Sequence, residues 1–325
     1  MVVGVILVGG NGKRLRPLTD TLPKTLIEIK KGWSILHHQL NEFKNVGIYK
    51  VYLLISNKSL IIEKEIGNEW NGIKINYLNE GEPKGTLVAM NNCFKQLDED
   101  AVVRNGDIVS DMNLKKLIEF AQSSNYDIVM ALTKLRSPYG IVDLADTTIT
   151  KFVEKPLIDK YINAGIYYIK KNAYPYFDED YARKGNGAVD VEKTVFPKLA
   201  NEKKIGAYIE NEIFWQSIDN LKDVEQVTQE YSNKSDTEYG YEKVLADTAT
   251  SALREVYIKA GYKDYTKEAK SFKILHTVSG SGYIKKNNGD IEKLSKALTV
   301  IVPPNTSYEV HADENLLLAV YEQKG

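Results

Sequence analysis

Eleven residues near the start of the chain concentrate groups suited to phosphate: Gly9-Gly10-Asn11-Gly12-Lys13-Arg14-Leu15-Arg16-Pro17-Leu18-Thr19, with Pro23-Lys24 downstream. They follow Val2–Val8, a continuous apolar run of the kind that fills a strand buried on both faces of a parallel sheet. Glycines directly after such a strand let backbone N–H groups approach phosphate oxygens with no Cβ in the way. Lys13, Arg14, Arg16 and Lys24 bring up to four cations to one strand end, about the compensation a triphosphate needs near neutral pH when no metal shares the task. Two commoner phosphate loops do not fit. A Walker A loop needs Ser or Thr after its lysine and a glycine where Leu7 stands, but Arg14 follows Lys13. A dinucleotide fingerprint needs a third glycine at Leu15 and an acid after the second strand, which here ends at Ser56-Asn57. A second group closes another strand: Ala101–Arg104 stops at Asn105-Gly106-Asp107. A carboxylate there, across from the glycine loop, can hold Mg²⁺ against a triphosphate, while Gly-Asp alone equally suits a plain turn.

The elements that must position these groups alternate. Ile35–Val46 reads as a helix ending at Gly47, Lys50–Ile55 as a strand and Ile73–Leu78 as another. The Leu87–Gln96 helix follows, then the Leu114–Ser123 helix and the Tyr126–Thr133 strand. This βαβα order predicts an α/β class: a doubly wound, Rossmann-like mixed sheet whose ligands sit beyond the carboxyl ends of its strands. After a polar, linker-like stretch at Ser232–Asp236 the pattern changes to short strands, with a hairpin turn at Asn287-Asn288-Gly289, as in a small all-β barrel. Two domains are expected, 1–231 and 239–325. The 325 residues are 43% hydrophobic with a net charge of −1, so no general nucleic-acid or membrane-surface binding is expected. No apolar stretch is long enough to span a bilayer. The one cysteine, Cys93, excludes an internal disulfide and fits a reducing cytoplasm. Val2–Val8 has no basic region before it and reads as a core strand rather than a signal peptide.

The glycine run followed by Pro23-Lys24 resembles the signature of the sugar-phosphate nucleotidyltransferases, G-x-G-T-R-L-x-P-L-T and then P-K. Lys13 stands where that family has threonine, and Thr25 where a proline is frequent. The resemblance extends over about residues 1–230. It implies that Asp107 is the family's metal-binding aspartate. It also implies that Phe152-Val153-Glu154-Lys155-Pro156 is its E-K-P element, with Glu154 on sugar hydroxyls and Lys155 on the sugar phosphate. Ile162–Tyr167 would offer Asn163 to the sugar, and Tyr139-Gly140 would turn the Gly140 backbone towards it. Asp190-Val191-Glu192-Lys193 with Phe196-Pro197 resembles a further element, in which Glu192 either contacts the sugar or starts a helix. Many members carry a second metal aspartate in W-x-D-I-G. Here Trp215-Gln216-Ser217-Ile218-Asp219 puts Ser217 on that position and Asp219 two residues later, as in the cytidylyl branch, and Asp219 is assigned to the metal.

The implied reaction joins a nucleoside triphosphate to a sugar 1-phosphate and releases pyrophosphate, with Mg²⁺ as cofactor. Arg14 would stabilise the leaving pyrophosphate, Lys24 the α-phosphate, and Lys155 would orient the attacking phosphate. The loop Glu80-Gly81-Glu82-Pro83-Lys84-Gly85-Thr86 resembles the family's base-reading loop. A carboxylate at Glu80 only accepts, which suits the adjacent N1–H and N2–H donors of guanine, whereas uracil and thymine suit an amide. GTP is therefore expected, and the resemblance of Leu7-Val8-Gly9-Gly10 and of Glu192-Lys193 to the mannose-1-phosphate branch implies mannose 1-phosphate as the sugar substrate. A UTP-, dTTP- or CTP-dependent glucose-1-phosphate enzyme, and a non-catalytic sugar-nucleotide sensor, are the alternatives. From about Tyr239 the chain resembles a small cupin domain, through Tyr239-Gly240-Tyr241, Thr277–Gly282 and Ile301–Asn305. Lys273 falls on that domain's metal glutamate and Tyr308 on its later histidine, leaving His276 and His311. A metal-free barrel that mediates self-association into a homo-oligomer is expected.

Overall fold

The computed structural model describes residues 1–10, 12–56, 60–184, 188–211 and 213–324, with the backbone alone for 181–184 and 265–268. Asn11 of the glycine run and Asn57 after the second strand lie outside the described residues. The contact pattern divides the chain into two compact units, one of Met1–Glu28 and Gly32–Asp223, the other of Ile29–Lys31 and Val224–Gly325.

The chain begins with β1 (Val2–Leu7), β2 (Glu28–Lys30), β3 (Trp33–Ser34), α1 (Ile35–Asn45), β4 (Lys50–Ile55), α2 (Leu60–Ile66), β5 (Glu69–Trp70), β6 (Ile73–Asn79) and α3 (Thr86–Phe94). It continues with β7 (Asp100–Asn105), β8 (Ile108–Ser110), α4 (Leu114–Ser123), β9 (Ile128–Arg136), β10 (Ile141–Ala145), β11 (Thr148–Val153) and β12 (Leu157–Ile169). After these come α5 (Tyr174–Lys184), α6 (Val195–Asn201), β13 (Ile205–Ile209), β14 (Trp215–Ser217) and α7 (Leu221–Tyr231).

The large sheet of the first unit runs β13-β9-β12-β7-β1-β4-β6-β5. Its centre is parallel, with β1 between β4 and β7, while β12 runs antiparallel to β7 and β9. The apolar run of β1 serves both faces because successive strand residues point to opposite sides. Ile6 and Val8 join Leu36, Leu40 and Phe43 of α1 and Leu117 of α4 on one face. Val3 and Val5 join Leu87, Met90 and Phe94 of α3 and Phe177 of α5 on the other. The sheet is thus doubly wound and mixed, as the pattern predicted. Cys93 is fully buried in α3, and burial pushes its thiol up to about 12, which leaves it inert.

The second unit adds β15 (Lys234–Asp236), β16 (Gly240–Asp247), β17 (Ser251–Ile258), β18 (Lys263–Ala269), β19 (Lys273–Ser279), β20 (Ser281–Lys286), β21 (Ile291–Ser295), β22 (Thr299–Val302), β23 (Thr306–Ala312) and β24 (Leu316–Gln323). They form a six-stranded sheet, β15-β16-β17-β24-β19-β22, and a four-stranded one, β18-β23-β20-β21. The inner faces share one core that includes Ile258, Leu275, Ile284, Val310 and Leu318. One expectation is corrected here: Ser232–Asp236 is not a linker, because Lys234–Asp236 pairs with β16. Lys234 is only 2% exposed, its Nζ 4.4 Å from the centre of the Tyr231 ring and 3.8 Å from that of Tyr241. The ring faces attract the ammonium in place of water, so a polar stretch folds inward. His276 bonds Thr299, and His311 stacks on Tyr283 with ring centres 4.5 Å apart. Lys273 lies 3.6 Å from Glu322, and Tyr308 is buried. No described helix is long and apolar enough to cross a membrane.

Candidate active site

The carboxyl ends of β1, β4 and β7 open onto a cleft of ≈ 370 Å³. Gly9, Gly10, Gly12, Lys13, Arg14, Lys24, Glu80, Gly85, Asp107 and Asp219 all line it. After Gly12 the chain makes a short 3₁₀ turn over Lys13–Leu15, in which buried Leu15 anchors the loop while Lys13 and Arg14 stay at the surface. Arg16 does not join them: its Nε pairs with Asp20 at 3.1 Å, so the four cations read from the sequence are three at the cleft. Gly9 permits a close approach, since a Cβ there would sit 2.9 Å from Glu80 Oε1.

Asp107 sits in a two-residue turn between β7 and β8. Gly106 allows that turn to close on β1: its N–H donates to Leu7 O at 3.0 Å, and an added Cβ would meet the same oxygen at 2.4 Å. Asp219 reaches Asp107 because β8 pairs antiparallel with β14, setting Ile108 opposite Ser217. The Ile218 N–H then donates to Asp107 O at 2.9 Å. Beyond it, Asn220 and Asp223 cap the start of α7 reciprocally, and Asp223 Oδ2 also accepts from the Asp219 N–H at 2.7 Å.

The charges converge. Lys24 Nζ lies 2.7 Å from Asp107 Oδ2 and 3.1 Å from Asp219 Oδ1, and Arg14 Nη2 lies 3.0 Å from the same Asp219 oxygen. Burial works to raise the Asp219 carboxyl, but Lys24, Arg14 and a hydrogen bond from Ser217 outweigh it and hold the pKa below the usual value. Of the two candidates in that segment, the structure brings Asp219 to Asp107, and Ser217 donates to Asp219 at 3.2 Å. The Lys24 ammonium stands in for a cation here, touching one oxygen of each carboxylate. Two hard oxygen donors aimed at a common point fit a divalent ion that takes its remaining ligands from phosphate and water. Among the described residues no group of three or more His, Cys, Asp or Glu side chains could hold a metal by itself.

Glu80 follows β6, and its N–H donates to Ile55 O at 3.0 Å. Its Oε2 is buried without a hydrogen-bond partner among the described residues. Burial raises its pKa, and the Lys84 amide and charge only partly oppose the shift. Gly85 precedes α3, where Thr86 Oγ1 accepts from the Val191 N–H and donates to Glu192 Oε2, both at 2.9 Å. Glu192 is thereby tied to a helix start.

A family model described as nucleotidyl transferase matches residues 3–234. The chain belongs to that family. Mannose-1-phosphate guanylyltransferase of Mycobacterium tuberculosis is 34% identical over 232 residues, 68% of this chain and 62% of its own length. The catalytic subunit beta of mannose-1-phosphate guanylyltransferase from Drosophila pseudoobscura pseudoobscura is 32% identical over 229 residues, 67% of this chain and 59% of its own. The chain thus spans about three fifths of the length of these relatives. The solved structure of HddC from Yersinia pseudotuberculosis is 25% identical with a TM-score of 0.54 and covers 71% of this chain and 100% of that one; it has also been solved in complex with GMP-PN. Nucleotidyl transferases of this kind use a divalent metal.

In this nucleotidyl transferase the four residues read as sugar-binding are not among those lining the cleft. Glu154 and Lys155 follow the β10–β11 hairpin, 4.0 Å apart, with side chains 62% and 63% exposed. Gly140 lies against them, since a Cβ there would stand 3.1 Å from Glu154 Oε2. Asn163 on β12 donates to the Tyr167 hydroxyl at 2.8 Å and accepts from the Gly165 N–H at the same distance. Three further polar lining residues carried no functional reading from sequence: Thr25, Asn105 and Asp190. Asp190 stands in the run Asp190-Val191-Glu192-Lys193, from which only Glu192 was given a role.

Proposed function

We propose that the chain is a sugar-1-phosphate nucleotidyltransferase that joins GTP to mannose 1-phosphate, giving GDP-mannose and pyrophosphate. The observation that carries this reading is the convergence of Arg14, Lys24, Asp107 and Asp219 beside the glycine loop. Asp107 and Asp219 would hold the divalent ion, for which we propose Mg²⁺. Bound there, it supplies neutralisation of triphosphate oxygens and a template for in-line geometry. The backbone of Gly9, Gly10 and Gly12, with Lys13, receives the phosphates. A sugar phosphate oxygen forms a bond to the α-phosphorus while the bond to the β-phosphate oxygen breaks, and pyrophosphate leaves with the electron pair. The attacking phosphate is already ionised, so no protein base or nucleophile takes part, and catalysis rests on positioning and charge. Arg14 meets the charge of the departing pyrophosphate, and Lys24 turns from the carboxylates to the α-phosphate.

Guanine is favoured by Glu80, whose buried Oε2, without a partner among the described residues, offers an acceptor to N1–H and N2–H. On the sugar side, Lys155 grips the phosphate, Glu154 and Asn163 accept from or donate to hydroxyls, and Gly140 exposes backbone. We further propose that the antiparallel unit mediates self-association; light scattering of the whole chain, expected to show more than one copy, tests that part. The reaction is tested by pyrophosphate release with Mg²⁺, each of the four ribonucleoside triphosphates and dTTP, and a panel of sugar 1-phosphates. Release only with GTP and mannose 1-phosphate is expected. Release with another pair corrects the substrates, and none with any pair leaves a sugar-nucleotide sensor in place of an enzyme.

A further inference from the structure

The turn that carries Asp107 is gripped from beneath by the buried polar face of α1. Gln39, 0% exposed, donates through its side-chain amide to Asn105 O at 3.0 Å and to Ile108 O at 2.8 Å. Those two carbonyls bracket Gly106-Asp107, so one NH₂ group spends both protons holding the ends of the turn. Both neighbours are acceptors, which fixes the orientation of the amide. Its Oε1 is left buried with no partner among the described residues, a cost borne only where the two donors are needed. The same helix reaches either side of the turn: Glu42 pairs with Arg104 before it, and His38 Nε2 lies 3.2 Å from Ser110 O after it. Ile108 also begins the ladder to β14 that brings Asp219 alongside.

We propose that Gln39 is a positioning residue for the metal site, setting Asp107 directly and Asp219 through the β8–β14 ladder. The proposal rests on the reading of Asp107 as a metal carboxylate. Removing an outer partner of this kind lowers metal affinity by about 10–100-fold. Gln39→Met keeps the volume and removes both donors; Gln39→Glu keeps the shape and sets a carboxylate against two carbonyls. Phe43→Leu, on the same helix and equally buried, is the control for lost packing.

The test measures Mn²⁺ binding to the full chain by the electron paramagnetic resonance of the free ion, with Asp107→Asn defining the site signal. Thermal melting is followed alongside, together with the Mg²⁺ concentration at half-maximal turnover. Both Gln39 variants are expected to weaken Asp107-dependent Mn²⁺ binding by about tenfold or more and raise the Mg²⁺ midpoint in step, with the KM for the sugar phosphate unchanged. Phe43→Leu is expected to lower the melting temperature and leave both metal readouts alone. Wild-type binding retained by a folded Gln39→Met or Gln39→Glu protein overturns the Gln39 assignment alone. Absence of any Asp107-dependent Mn²⁺ binding in the wild type overturns the metal reading of Asp107, and this proposal with it.

Discussion

At the Asp107 end of the first unit, Lys24 touches two carboxylates and Arg14 touches one of them, and backbone ladders fix where each carboxylate stands. At the Glu154 end, the two charged side chains stand mostly in solvent beside a two-stranded hairpin, 4.0 Å from each other. The difference separates two ways of building a site. A cluster already held in place acts on the transition state and shows in turnover. Groups that gain their partners only when substrate arrives act on binding and show in KM.

The largest effects should fall on the first end. Asp107→Asn, Asp219→Asn and Arg14→Ala should each lower kcat by about 10²–10³ or more in steady-state assays while circular dichroism shows the fold intact. A wild-type rate for Asp219→Asn beside a dead Ser217→Ala would move the second carboxylate role to the other residue. Lys155→Ala should be milder and different in kind, raising the KM for the sugar phosphate by about tenfold with kcat little changed. A collapse of kcat there instead would erase the contrast between the two ends. Glu80→Gln should shift the preference between GTP and UTP by about tenfold, since a matched buried hydrogen bond is worth about 1–3 kcal/mol. The smallest effect is a pH dependence. Burial raises the Glu80 pKa, so as pH falls through that raised value the group takes a proton and presents an O–H to the N–H edge of guanine. The KM for GTP should therefore rise towards acid pH in the wild type and stay flat in Glu80→Gln, measured by steady-state kinetics as the pH is lowered from neutral.

Much of the first end was legible. A buried strand followed by glycines and cations is a local pattern, and so is a strand stopping at Asp107. The meeting of Asp107 with Asp219 was legible only through the family resemblance, because locally it depends on β8 and β14, three residues each and too short to show a period. The grip of Gln39 was hidden for a related reason: a polar residue in a helix reads as solvated until the tertiary fold shows which face is buried. The inward turn of Lys234 needed two tyrosines, one three residues before it and one seven after. Arg16 sat in the right motif yet found a closer acid in Asp20.

Gly106 has a consequence for inheritance. It offers no charge and no donor beyond its backbone, yet a single added carbon would stand 2.4 Å from the Leu7 carbonyl and force β1 away from the turn. In a library that randomised this turn, survivors would keep Gly106 as strictly as Asp107. What Gly106 contributes is an empty volume, and the site would be lost by filling it without touching any group that reacts.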